Sequence, residues 1–192
     1  MTTRGVSTTQ SVQQPLGCED LLFIELQAIY DAESELSATL PELSKVVELQ
    51  ALRKLMEERG SQAQQIIQEI QEVFEEMDQR PRRKRNPAAE GLVWAAREHI
   101  REIAPGPALD VALIASIQKT EYYCTAARAT AEALSEAAFH EYALGAMGRA
   151  IEEGVKFADR LNQLARTEVI PALLALEAEG QLETEGQGLS GG

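Results

Sequence analysis

Residues 22–47 read LFIELQAIYDAESELSATLPELSKVV. Within them Leu22, Leu26, Ile29, Glu33, Leu36, Leu40, Leu43 and Val47 follow one another at steps of four and three, the spacing that keeps side chains on one buried stripe of an α-helix. All are apolar except Glu33. A lone ionised carboxylate in such a stripe costs several kcal/mol or more unless it is paired, protonated or bound to a cation. What meets Glu33 from the other helices therefore decides what the interior of the fold holds.

The rest of the chain supplies those helices. Ala, Leu, Glu, Gln and Arg dominate its 192 residues, only 5% are aromatic, and long stretches lack both Gly and Pro, so propensity and periodicity point to an all-α fold. A first helix is expected from about Cys18 with a bend at Pro41, and a second from Leu49 to Asp78 with Leu52, Leu55, Gln62, Ile66, Ile70, Val73 and Met77 facing inward. A short helix, Ala88 to Ala104, carries the single Trp94 and ends at Pro105-Gly106-Pro107. A third long helix from Ala108 to Leu134 presents Ile114, Ile117, Glu121, Cys124 and Ala131, so Glu121 interrupts its stripe as Glu33 does. The fourth runs from about Ser135 to Leu176, with Leu144, Met147, Ile151, Ala158, Leu161 and Ala165 inward and Pro171 expected to kink or end it. Four long helices with a short one in the crossover between the second and third make a ferritin-like bundle. It is expected to occupy 18–176, between a disordered N-terminal tail, 1–17, and a disordered acidic Gly-rich tail, 177–192.

Composition narrows function by exclusion. A formal charge of −13 and a pI near 4.7 repel nucleic acid and anionic membranes from most of the surface. No apolar run reaches the roughly 20 residues that span a bilayer, and Met1 to Pro15 has no secretory pattern, so the cytoplasm is the expected compartment. Cys18 and Cys124 are too far apart in sequence to suggest a metal knuckle or redox pair, and read as reduced thiols. The basic run from Arg80 to Arg85 reads as a solvated loop offsetting Glu75, Glu76 and Asp78, with an adaptor role as its functional alternative.

In di-iron bundles two helices each give one Glu and two others give Glu-x-x-His, enclosing a pair of cations. Here Glu33 and Glu121 fit the single-Glu roles, while Glu58 and Glu153 fall on the other two helices. Ser61 and Lys156 stand where the two imidazoles would be. His99 and His140 lie outside the four stripes. Gln62 adds a neutral oxygen, so Glu33, Glu58, Gln62, Glu121 and Glu153 form the candidate metal set, suited to hard cations. Lys156 offers a metal-free solution, its ammonium taking the place of the cation.

At these residues the chain resembles the YciE/YciF family of ferritin-like bacterial stress proteins, from about Glu19 to Ala165. The resemblance rests on Tyr30-Asp31-Ala32-Glu33, on the basic connection followed by Ala89-Glu90-Gly91-Leu92, and on Gln118-Lys119-Thr120-Glu121. It implies a homodimeric bundle tied to stress responses, with none or a pair of divalent metals, iron or manganese. Several positions depart from that family: Tyr122 replaces a common His, Cys124 a common Glu, Arg59 a common Thr, and Gly154 and Ala158 stand where acidic residues are usual. The resulting expectation is a non-enzymatic bundle whose carboxylate cluster binds metal weakly or has lost it; the alternative is a di-metal oxidase or peroxide-handling enzyme.

Overall fold

The computed structural model describes residues 15–80 and 82–189, with side chains as far as residue 179. Every regular element among them is helical: α1 Cys18–Ser44, α2 Gln50–Glu76, α3 Pro87–Glu102, α4 Pro107–Ala137, α5 Glu141–Leu164, a π-helical turn Ala165–Val169, and α6 Ile170–Leu189. Helices α1 and α2 pack as one pair and α4 and α5 as another; α1 lies on α4, α2 on α5, and the short α3 crosses α1 and α4. This is the all-α four-helix layout, with the extra helix in the long crossover.

Local chemistry explains where the helices stop. Asp78 and Phe139 adopt left-handed backbone, φ 51° and 60°, and in each case the next amide reaches back five residues, Gln79 N–H to the Phe74 carbonyl and His140 N–H to the Ser135 carbonyl. That closure satisfies carbonyls the helix end would leave unpaired, and it ends α4 at Ala137 rather than letting the fourth helix begin at Ser135. Gly17 N–H donates to Asp20 at the start of α1, and α1 continues through Pro41 to Ser44. Asn86 caps α3 by accepting the Ala89 N–H, with Pro87 at the first helical position, where the missing donor costs nothing.

The segment expected as an acidic tail is helical as far as Leu189. The helix runs without a break from α5 through the π-helical turn into α6, so Pro171, which has no N–H to donate, sits directly after a widened turn rather than ending the helix, and the Ala-Leu-Glu composition after it favours helix. Residues 1–14 and 190–192, which belong to the two expected tails, lie outside the described residues. No helix among those described is long and apolar enough to cross a membrane.

The core is divided. One apolar cluster holds Leu36, Leu40, Leu43, Leu52, Met56, Leu113, Ile117, Phe157 and Leu161; the other holds Leu22, Leu26, Ile29, Ile66, Ile70, Phe74, Ala131, Ala146 and Met147. Each fully buried Leu, Ile, Met or Phe contributes about 1.5–3 kcal/mol. On α5 Gly154 falls between Ala150 of one group and Phe157 of the other, and on α4 Arg128 falls between Cys124 of one and Ala131 of the other, so the polar layer forms close to the seam where they meet.

Candidate functional site: a buried ring of two arginines and two glutamates

Glu33 and Glu121 do converge, and two guanidinium groups lie between them. Arg59 Nε donates to Glu121 Oε2 at 2.6 Å, and Arg59 Nη2 donates to both Glu33 oxygens at 3.0 and 3.1 Å. Arg128 Nη1 donates to Glu121 Oε1 at 2.7 Å and to the Ala150 carbonyl at 3.2 Å, while its Nη2 donates to Glu33 Oε1. Each arginine bridges both glutamates and each glutamate accepts from both arginines. All four side chains are at most 2% exposed. The ring is neutral as a unit, which is what its burial requires.

Helix geometry brings these groups to one level. Glu121 and Arg128 are seven residues apart on one face of α4, about 10 Å along the axis. Side chains lean toward the helix N-terminus, so the long Arg128 stem reaches back to Glu121. Arg59 lies on the inner stripe of α2 with Leu52, Met56, Ala63, Ile66 and Ile70, all buried. Space for the guanidinium comes from α5: a Cβ added at Gly154 would clash with Glu121 Oε1 and stand 2.8 Å from Arg128 Nη1 and 3.2 Å from Thr125 Oγ1.

The electrostatics follow from this geometry. Burial opposes the charge on Arg59 and Arg128, but Glu33 and Glu121 outweigh it and raise both above the ordinary arginine value. Burial likewise opposes ionisation of Glu121, and the two guanidiniums outweigh it to lower its pKa. Burial pushes the Cys124 thiol upward, so it stays neutral and supplies no thiolate.

The glycine gives a test with a sign. Gly to Ala inside a helix ordinarily stabilises by up to about 1 kcal/mol, whereas forcing atoms into a filled core costs about 1–3 kcal/mol. At Gly154 crowding wins, so Gly154→Ala lowers the urea midpoint. Gly91 on α3 has nothing within 4 Å of an added Cβ, so Gly91→Ala raises it. Equal gains at both positions would show that the ring yields without cost.

The other expected site residues lie elsewhere. The Glu58 side chain, 35% exposed, pairs with Arg160 at 2.7 Å and more loosely with Lys54 at 3.9 Å. Gln62 and Glu153 are partly buried and take no part in the ring's hydrogen bonds. The Lys156 side chain is 66% exposed and bonds Glu152 at 2.6 Å, so the neutralising charge comes from arginine rather than from this lysine. Among the described residues the basic loop pairs with other acids than Glu75, Glu76 and Asp78: Arg83 with Asp31 and Glu35, and Arg85 with Glu90. Asp31 also accepts the Asn86 N–H, and Asn86 bonds the Ala28 carbonyl and the Tyr123 hydroxyl. The Tyr-Asp-Ala-Glu stretch thus anchors the loop through Asp31 and the ring through Glu33.

Two signals for the ring stood in the sequence. Cys124 and Ala131 are seven residues apart, and Arg128 fills the gap between them at steps of four and three. Arg59 likewise sits three after Met56 and four before Ala63.

A ferritin-like bundle raises the question of a metal pair at this level, and the donors here do not fit one. Glu33 and Glu121 are already engaged by guanidiniums, which would repel a cation between them. The buried polar atoms left without partners in the ring, Arg59 Nη1 and Arg128 Nε, are donors and repel a cation too. No group of three or more His, Cys, Asp or Glu suited to a metal occurs among the described residues.

The family model described as a domain of unknown function, DUF892, matches residues 17–173. The crystal structure of the Escherichia coli stress protein YciF is similar at 28% identity and a TM-score of 0.76, covering 81% of this chain and 98% of its own. YcfI from Rhodopseudomonas palustris, whose description proposes a structural role, is similar at 28% identity and a TM-score of 0.73, covering 80% and 96%. No functionally curated protein matches the chain.

Proposed function

The chain belongs to the DUF892 family and is of the YciF type, and on that premise we propose that it is a non-enzymatic, stress-associated bundle protein whose centre holds a permanent ion ring instead of a metal pair. The observation that carries this reading is the closed set of bonds among Glu33, Arg59, Glu121 and Arg128. A ring of fixed side chains needs no loading step and presents no open coordination position, which metal-assisted oxidation requires. Its role is to fix the register of α1, α2 and α4, because apolar contacts alone tolerate small shifts and directional charged bonds do not.

The test is metal uptake. Protein incubated with Fe(II) or Mn(II) in excess and desalted is expected to retain far less than one ion per chain by elemental analysis, and to oxidise Fe(II) no faster than buffer. Stoichiometric retention that disappears in Glu33→Gln would overturn the reading in favour of the di-metal enzyme. The basic loop supports a clasp rather than an adaptor, since Arg83 and Arg85 are held by acids of α1 and α3.

A further inference from the structure

A second polar feature lies away from the ring, where the α1–α2 connection meets the start of α4 and the π-helical turn. Asp110, in the first turn of α4, is 2% exposed. Its Oδ2 accepts the Leu49 N–H at 3.1 Å, capping α2 from another helix. Its Oδ1 has no hydrogen-bond partner. A buried acceptor left unpaired is costly, and more so when charged, so a donor at this position would be strongly favoured.

Asp110 lines a cavity of about 240 Å³ together with Glu48, Leu49, Pro107, Glu168, Val169 and Ala172. In the π-helical turn the Ile170 N–H bonds the Ala165 carbonyl, five residues back, and the widened turn carries Glu168 and Val169 into the cavity wall. Three of the seven lining residues are acidic and none is basic. The guanidinium of neighbouring Arg53 is turned to the carbonyls of Ser44 and Val47. The N-termini of α2 and α4 contribute roughly half a positive charge each, less than three carboxylates oppose. The field at the unpaired oxygen therefore favours a cation, and the remaining wall is apolar.

We propose that this cavity binds a small organic ammonium ion, a primary or secondary amine whose N–H donates to Asp110 Oδ1 while its hydrocarbon body lies against Leu49, Pro107, Val169 and Ala172. Glu48 and Glu168 complete the charge balance at the rim. The volume sits below the roughly 300–1,000 Å³ of drug-sized pockets, which limits the ligand to a handful of non-hydrogen atoms. Burial raises the pKa of Asp110, the bond from the Leu49 N–H opposing it, and an ammonium would return the group toward its ionised form.

Isothermal titration of the full chain with cyclohexylamine and with its neutral counterpart cyclohexanol tests the proposal. Saturable 1:1 binding of the amine, with the alcohol at least about tenfold weaker, is expected. Asp110→Asn retains an oxygen to cap Leu49 but loses the charge, and weakens amine binding roughly 10- to 100-fold, the range for a charge-assisted hydrogen bond. Ala172→Phe, at an exposed position of the wall, blocks the cavity with Asp110 intact and also abolishes binding, which separates ligand loss from misfolding. Absence of saturable heat in the wild-type chain, equal affinity for amine and alcohol, or unchanged affinity in a folded Asp110→Asn variant would each overturn it.

Discussion

Arg128→Met is expected to destabilise the fold by about 3–5 kcal/mol, the cost of leaving a buried charge short of its partner. Methionine fills much of the volume, so the loss is electrostatic rather than a cavity effect. Glu33 and Glu121 would each keep one arginine, the ring would carry net negative charge while almost wholly buried, and the Ala150 carbonyl would lose its bond from Arg128. For a chain of this size each kcal/mol moves the melting temperature by about 2–4 °C, so a fall of roughly 6–20 °C is expected by calorimetry. A shift under 2 °C would mean that water reaches the ring and that its burial is not what matters.

The same variant has an acid signature. Glu121 has a folded-state pKa below its ordinary value, so its ionised form contributes stability above the unfolded carboxylate pKa, and that contribution is lost as pH falls through the folded one. Removing Arg128 takes away part of what holds that pKa down. The acid-dependent part of stability should therefore shrink in Arg128→Met compared with wild type.

Replacing the whole ring reverses the outcome. The quadruple variant Glu33→Leu, Arg59→Met, Glu121→Leu, Arg128→Met is expected to match the wild-type unfolding free energy or exceed it by about 1–4 kcal/mol, because four desolvation penalties disappear together with the bonds that offset them. The effects are strongly non-additive, as for any set of groups sharing partners. Urea unfolding of the single and quadruple variants side by side measures this directly. A quadruple variant less stable than Arg128→Met would mean that the ring is itself a large net source of stability. If the ring's task is register, the apolar variant keeps its stability but loses dispersion in its amide NMR spectrum, two packings of α1 against α2 becoming nearly equal.

Much of this was legible in the chain. The stripes of α1 and α4 gave the helices, and Glu33 and Glu121 stood out because apolar residues flank them at steps of three and four. The short α3 and the ends near Pro105 and Pro87 followed from proline. Glu58 and Glu153 drew notice through a ligand pattern, yet each lies just off its inner stripe, where a rotation of a helix by less than one residue step decides between core and solvent. Arg59 and Arg128 do not read as core members, because a long charged side chain ordinarily snorkels to the surface. The pocket at Asp110 left no trace in periodicity, since its walls come from four separate segments.

The amino-acid sequence alone determined that helices form, which face of α1, α2 and α4 is buried, and that two carboxylates enter the interior, because those facts depend on spacing along one chain segment; on α5 the buried face is turned toward Ala143, Ala146, Ala150 and Phe157, leaving the expected Leu144, Ile151 and Ala165 only partly buried. What neutralises the carboxylates was decided only in three dimensions. Helical periodicity fixes a residue's direction from its own axis but not the height and rotation of one helix against the next. An arginine stem several ångströms long delivers its charge a turn or two from its own backbone, and the missing side chain of Gly154 leaves the room for it.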